Sequence, residues 1–508
     1  MTTDGTSRAD SETYGEFEQR VERIRNVGNA AGILRWDQEV VMPEAGTPAR
    51  AKQLSTLSSI SHELLTADET GELLEELEGA DLKEEQAAVV REIHREYDRA
   101  TSVPQELVEE LSETTANAHP VWKQAREEDD FETFAPTLEK LVGLKREYAE
   151  YVDPDEDPYA VLFAEYEPYL DLETAETILD ELREELVPLI EAIAESEVDL
   201  ETDAFSGEFN AETQEDICRD VLDELGYDWS RGRLDTAPHP FSSGTQFDAR
   251  VTTRFDESDL LGSITSTIHE FGHANYTIGL SDEGYGTPLG EARDLSVHES
   301  QSRLWENHVG RSKAFWERFL PTVHERFPAT EGVTPGEAYE SANQVYDDNL
   351  IRVEADELTY HLHIVIRFEI ERDLIRGDLE VEDVPQIWND KYEEYLGIRP
   401  ETDAEGCLQD IHWSHGSFGY FPTYSLGSVL AAQLFATTAE ELGDLEARIR
   451  EGEFDELNGW LRENVHQHGK RYTTPELIEK ATGEEFTAEY FLEYAKSKYG
   501  ELYDLEAY

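Results

Sequence analysis

Asp259-Leu260-Leu261-Gly262-Ser263-Ile264-Thr265-Ser266-Thr267-Ile268-His269-Glu270-Phe271-Gly272-His273, running on to Gly279, joins a helix signature to a chemical motif. Asp256, Ser258 and Asp259 supply capping oxygens and negative charge where a helix would start. Leu261, Ile264, Ile268 and Phe271 recur at three- and four-residue spacing, the pattern of one buried stripe. Gly279 stands where a C-terminal cap is expected. His269 and His273, four apart on such a helix, lie about 40° from each other around its axis, so both imidazoles can reach one metal ion. Glu270 projects beside them, where a carboxylate takes a proton from water at that metal. Gly272 costs about 1 kcal/mol of helix propensity against Ala, which calls for a closely packed neighbour. HExxH alone is a weak signal: in a chain with 15 His, chance gives on the order of 0.06 matches. The plain alternative is a surface helix of an acidic protein that carries two histidines, and the capped, striped context argues against it.

A catalytic zinc keeps three protein ligands and one open position. Glu299 is a candidate for the third, within Asp294-Leu295-Ser296-Val297-His298-Glu299-Ser300-Gln301-Ser302-Arg303-Leu304-Trp305-Glu306-Asn307. A second helix beginning near Ser296 would return a carboxylate to the metal after the Gly- and Asp-rich loop Ser281–Leu289. His298 competes for the same role, and it reads equally as a partner of another ligand or as a packed core histidine.

The chain carries 42 Lys+Arg against 115 Asp+Glu, a net charge of −73 with a pI near 4.3. Such a surface repels nucleic acid and anionic membrane, which removes both as partners. The acidic residues are spread along the chain, so an acidic tail is not the explanation. We read them as adaptation to a cytoplasm holding molar salt, where the Debye length is about 3 Å; the expected source is a halophilic archaeon. Only Cys218 and Cys407 are present, which argues for a reducing compartment and against a disulfide framework. Cys407 reads as a small buried hydrophobe. Met1-Thr2-Thr3-Asp4-Gly5 has neither the basic nor the apolar segment of a signal peptide. The longest apolar stretch, Leu426–Ala436, is too short and polar to span a bilayer. The expected location is cytoplasmic.

Length alone favours about three domains, yet no linker or repeat divides the chain. Residues 1–508 therefore read as a single domain. A helical wall or lid is expected over about residues 10–150, with amphipathic helices at Glu12–Asn29, Pro48–Leu65 and Lys83–Arg99; plain helical scaffold is the alternative. The chemical motifs fall over about residues 230–430. Asp153–Pro158 and Ser206-Gly207 read as turns within one body.

Six ordered motifs are similar to those of the carboxypeptidase Taq family of HExxH metallocarboxypeptidases. They are His239-Pro240-Phe241 (HPF), Asp248-Ala249-Arg250-Val251-Thr252 (DxRxT), His269–His273 (HExxH), His298-Glu299-Ser300-Gln301, Ile351–Asp356 (I(R/K)xxAD) and Gly406–Trp413 (GxxQDxHW). Leu34-Arg35-Trp36-Asp37, Met42-Pro43 and Phe418–Tyr424 extend the resemblance from about residue 30 to the C-terminus. It implies a mainly α fold: one large helical domain with a deep active-site groove and a small β-sheet next to the HExxH helix. It also implies a homodimer that takes peptide substrates with a free C-terminus and releases residues one at a time, with broad specificity. By the same resemblance His269, His273 and Glu299 would bind Zn²⁺, with Co²⁺ able to substitute, and Glu270 would be general base and acid.

An exopeptidase of this kind needs a cation for the terminal carboxylate, and guanidinium binds one bidentately. Arg352 is placed first, on a helix read from Leu350 to Arg376 and closed by Gly377, with Asp356, Thr359 and His363 on the same stripe. Arg250 is the alternative, on a strand read within Gln246–Phe255 from its period-two alternation. That strand could offer an edge to the extended substrate, and Arg250 could instead pair with Asp248. His412 and Tyr420 are candidates to share the charge developing on the attacked carbonyl. Trp413, Phe418 and Phe421 read as packing. His239 reads as a supporting or groove residue. Two other classes stay open: an HExxH metalloendopeptidase or aminopeptidase, and a non-catalytic helical metal-binding protein, which would have no use for Glu270.

Overall fold

Two long helices, Thr3–Val40 and Thr47–Leu65, open the chain as a hairpin. Pro48 sits in the first turn of the second, where its missing N–H costs nothing. Arg50 is the buried residue of that helix; it fastens the hairpin by donating to the Leu34 carbonyl and to Asp37 Oδ2. Asp68–Leu77 and Glu84–Ser102 complete this region around a small core of Phe17, Val21, Leu74, Leu77, Val89 and Ile93. The helices expected at Glu12–Asn29, Pro48–Leu65 and Lys83–Arg99 are thus present, the first running on to Val40. Glu92 joins them to the rest of the chain through the fully buried guanidinium of Arg293, with two contacts of 3.0 Å. This computed structural model describes residues 3–346, 348, 350–506 and 508, with side chains from residue 12. Met1 and Thr2, part of the leader reading, lie outside the described residues.

Two larger cores follow. One gathers Leu138, Tyr159, Leu182, Leu362, Phe368, Trp388 and Phe491 from helices before, within and after the motif region. The other gathers Val221, Val251, Ile264, Phe271, Trp305, Phe319 and Leu461 around the HExxH helix. The helix Pro422–Leu442 serves both, sending Leu426 and Val429 into the first and Leu430 and Leu434 into the second. A helix apolar on all sides is one buried on all sides, which accounts for the stretch Leu426–Ala436. No helix among the described residues is long and apolar enough to cross a membrane. Cys218 and Cys407 are both free and buried, Cys407 as the expected small hydrophobe.

Three short strands make the sheet: β1 (Gly232–Thr236), β2 (Ser242–Thr245) and β3 (Asp248–Thr253), in the order β1-β3-β2. β1 runs parallel to β3 and β2 antiparallel. The sheet lies against the HExxH helix, where Thr253 Oγ1 is 3.2 Å from Ser266 Oγ and 3.0 Å from Thr267 Oγ1. The strand at Asp248–Thr253 is as expected, but its edge is not. β3 is the central strand with both sides already paired, so it has no edge for a peptide. Alternation reports which face is buried; it says nothing about the neighbours on either side.

The helix read from Leu350 also needs correction. Arg352–Glu354 forms a separate short turn, and the long helix begins at Thr359 and ends at Arg376, with Gly377 closing it at φ 88°. Asp356 causes the break. Its Oδ1 accepts the N–H groups of Leu358 and Thr359 at 2.9 and 3.0 Å, so it caps the helix from outside. Arg352 and Asp356 therefore do not share a helical stripe with Thr359 and His363.

Candidate active site

The HExxH helix spans Leu260–Gly279, capped by Asp259, whose Oδ1 accepts the Gly262 N–H at 2.8 Å. Asp256 instead closes the preceding turn through Ser258. Ile264, Ile268 and Phe271 are fully buried as expected, with Leu260 taking the place foreseen for Leu261. Gly279 ends the helix without a left-handed cap. Its role is close packing, since a Cβ there would meet His466 Nδ1 at 2.3 Å. Gly272 has the neighbour its cost demanded: a Cβ would lie 2.4 Å from the Gln301 carbonyl oxygen and 2.6 Å from Ser302 Cα. Those two residues belong to the second helix, Leu295–Arg303. The missing side chain thus lets the two helices touch backbone to backbone, which carries Glu299 to the histidines.

His269, His273 and Glu299 each offer one ligand atom, and the three atoms lie within 4.8 Å of one another. Glu299 Oε2 is 3.4 Å from His273 Nε2 and 3.9 Å from His269 Nε2. The far nitrogens are spoken for. His273 Nδ1 is 3.1 Å from the His298 carbonyl oxygen, which can only accept, so Nδ1 carries the proton and Nε2 keeps its lone pair. His269 Nδ1 is 2.8 Å from Glu306 Oε2. Burial opposes ionisation of Glu306, but Arg303 and Arg311 hold its pKa well below the usual carboxylate range. Glu299 is kept ionised in the same way: Arg303 overcomes burial and occupies Oε1 at 2.8 Å, leaving Oε2 for the cluster. Two imidazole nitrogens and one carboxylate oxygen, each oriented by an outer partner, suit a divalent metal. His298 is outside the cluster. Its ring lies tilted against that of His273 with centroids 4.4 Å apart, and its carbonyl orients that imidazole.

Glu270 is buried beside these groups, and its Oε2 has no hydrogen-bond partner among the described residues. Burial raises its pKa against the pull of the two imidazoles. A buried carboxylate oxygen without a partner is rare and marks a group with a ligand still to meet.

Arg352 is buried, with Nε and Nη2 at 3.0 and 2.8 Å from Asp410 Oδ1 and Nη1 donating to Tyr360 Oη at 3.2 Å. Three of the five guanidinium N–H groups are therefore used. Two remain, one on each Nη, and these can meet a carboxylate. Arg250 is paired side-on with Asp248 at 2.9 and 2.6 Å, which leaves N–H groups on both Nη without an acceptor among the described residues, and its guanidinium lies 4.2 Å from the Trp36 ring; hydrogen bonding alone does not rank the two arginines. His412 packs against Tyr420 and Phe421, with centroids 5.6 and 4.4 Å away. Burial lowers its pKa to about 4 against the pull of Asp410, so the ring is neutral at neutral pH. Burial likewise raises Tyr420 above the ordinary phenol range. Trp413, Phe418 and Phe421 are buried packing residues as expected. His239 lies exposed between β1 and β2.

Sequence reading overlooked Arg303, Glu306, Tyr360 and Asp410. Arg303 and Glu306 follow Glu299 by four and seven residues, a spacing that would have placed them on its face of the helix. Gly427 was also missed; a Cβ there would meet Glu299 Cβ at 2.5 Å, so it makes room for that side chain.

The chain is 40% identical to thermostable carboxypeptidase 1 of Pyrococcus furiosus over 96% of this chain and 99% of that one. It is 37% identical to carboxypeptidase 1 of Bacillus subtilis over 96% and 98%. The crystal structure of the M32 carboxypeptidase from Deinococcus radiodurans R1 superposes with a TM-score of 0.94 at 39% identity, covering 97% of this chain and 100% of that one. Residues 16–499 match the family described as carboxypeptidase Taq (M32) metallopeptidase, and on fold and sequence together the chain belongs to that family.

Proposed function

We propose that the protein is a zinc-dependent metallocarboxypeptidase that releases amino acids one at a time, with broad specificity, from peptides with a free C-terminus. The reading is carried by the convergence of His269, His273 and Glu299 beside the partnerless carboxylate of Glu270. When bound there, a divalent ion supplies Lewis acidity, polarising the scissile carbonyl and acidifying water. Glu270, its pKa raised by burial, takes the water proton and returns it to the leaving amine. The two remaining N–H groups of Arg352 hold the terminal carboxylate, with Arg250 the second choice and His239 at the groove. Neutral His412 and Tyr420 donate hydrogen bonds to the oxygen as charge develops on it. Zn²⁺ suits this nitrogen and oxygen donor set, with Co²⁺ able to substitute. We assign one domain to residues 1–508, with the region before about residue 150 as a wall of the groove. We also infer a homodimer working in a salt-rich cytoplasm, without nucleic-acid or membrane partners.

The test is mass spectrometry of a mixed peptide set incubated with the zinc-loaded protein in molar KCl. Ladders of C-terminal truncation are expected, and peptides with a C-terminal amide should stay intact. Internal cuts, or ladders from the N-terminus, would show the endopeptidase or aminopeptidase instead.

A further inference from the structure

We propose that the cavity of about 190 Å³ between Arg303 and Arg352 receives the side chain of the substrate's C-terminal residue and favours neutral polar side chains. The inference rests on the carboxypeptidase reading and adds a preference within its broad specificity. In such an enzyme the scissile carbonyl sits at the His269–His273–Glu299 cluster, and the terminal carboxylate lies one residue further on. The side chain of that residue must leave between them. Arg303 and Glu306 touch the cluster, through Glu299 at 2.8 Å and His269 at 2.8 Å. Arg352 carries the N–H groups for the terminal carboxylate, and all three residues line this one cavity. Its volume is about six times the 30 Å³ share of a liquid water. That is below the 300 Å³ or more of drug-sized pockets and suits a single side chain.

The lining decides the chemistry. Arg303, Arg311 and Arg352 face Glu306, Asp356 and Glu357, three charges of each sign. Each already has a partner: Arg303 and Arg311 share Glu306, Arg352 has Asp410, Glu357 has Lys498, and Asp356 holds the helix start at Thr359. A charged side chain entering here would lose its hydration without meeting an unpaired counter-charge. An apolar one would cover polar groups without bonding them. Arg303 meets Glu299 and Glu306 through Nε and Nη1, and its Nη2 makes no hydrogen bond among the described residues. An amide or hydroxyl oxygen on the substrate would give it an acceptor.

The experiment compares kcat/KM for the zinc-loaded protein on peptides identical except for a C-terminal Gln, Glu, Met or Lys, side chains of similar length. Gln is expected to lead each of the others by about ten-fold; a flat profile, or one led by Met, Glu or Lys, overturns the proposal. In Ser428→Leu the added bulk would fill the cavity, and the ratio of Gln-terminated to Ala-terminated substrate should fall about ten-fold. An unchanged ratio would place the side chain elsewhere. Should that variant fail to fold, the four-peptide comparison on the unaltered protein still decides. Absence of any C-terminal release would instead overturn the carboxypeptidase reading itself, an outcome distinct from a flat profile.

Discussion

Glu270 and Glu306 are both glutamates buried beside the same imidazole, yet their neighbours assign them opposite chemistry. Glu270 has an oxygen without a partner and a raised pKa, the condition of a group that exchanges protons. Glu306 is clamped by Arg303 and Arg311 and stays ionised, the condition of a group that orients His269. Glu270→Gln should therefore keep its metal content by elemental analysis while kcat falls by at least ~10²-fold. Near-normal turnover in that variant would remove Glu270 from the chemistry. Glu306→Gln should show the other pattern, with metal affinity lowered by about 10- to 100-fold in chelator competition; unchanged affinity would mean that His269 does not depend on it. His269, Glu270 and His273 were legible because their spacing is itself a chemical pattern, and Glu299 because a motif resemblance singled it out from His298. The spacing of Glu306 would have put it on the face of Glu299, but among 115 carboxylates helical spacing alone does not single one out. Arg352 and Asp410 each stand inside a motif, but neither motif shows that Asp410 and Tyr360 together take up three N–H groups of Arg352, a contact that only the fold makes.

At the scale of elements, the helices at Pro48–Leu65 and Lys83–Arg99 were readable almost to their ends, whereas Glu12–Asn29 proved part of the longer Thr3–Val40, and other failures occurred where a single polar residue or a pairing partner decided. Asp356 looked like part of a stripe and is a cap; β3 looked like an edge and is central. Gly272 was read correctly as a packing requirement, and its substitution separates two opposing effects. Gly272→Ala gains up to about 1 kcal/mol of helix propensity. Overpacking against fixed backbone, with a contact of 2.4 Å, costs roughly 1–3 kcal/mol. The second should win, so thermal unfolding is expected at lower temperature than in the unaltered protein; a rise would show that the helices can separate at no cost. The C-terminal helix Glu489–Leu502 offers a test with pH. Its Lys498 lies 2.6 Å from Glu357, and both are buried. Burial opposes the charge on Glu357, but Lys498 and Arg311 bring its pKa down to about 2. Because the folded pKa is depressed, this pair stabilises above the ordinary carboxylate pKa, and the contribution is lost as pH falls toward 2. Lys498→Met would strand a buried carboxylate and cost about 3–5 kcal/mol at pH 7. Protonation relieves that penalty, so denaturant titrations should show the deficit shrinking from pH 7 to pH 4; a deficit independent of pH would mean that packing, not charge, is what Lys498 provides.

For the whole molecule, the −73 charge outweighs its many surface ion pairs. Exposed pairs such as Arg326–Asp220 contribute only about 0–1 kcal/mol each, whereas repulsion acts among all the unpaired carboxylates. The Debye length is about 10 Å at 0.1 M and about 3 Å at 1 M, so dilution exposes the folded surface to its own repulsion. Activity and helical circular dichroism should decline together as KCl falls from molar to about 0.1 M. Loss of activity with unchanged dichroism would place the salt effect on catalysis, and no change in either would sink the halophilic reading while leaving the family assignment intact. This expectation rests on composition alone, since it depends on totals and not on neighbours. The contact at Gly272 has a consequence for timing. The helices that carry the three ligand atoms are locked together by their own backbones, unlike small zinc domains that fold only around their ion. A cage so built is expected to stand before an ion arrives. Uptake should then be an ordinary encounter whose speed scales with ion concentration, and stripping the ion should leave an intact, refillable protein.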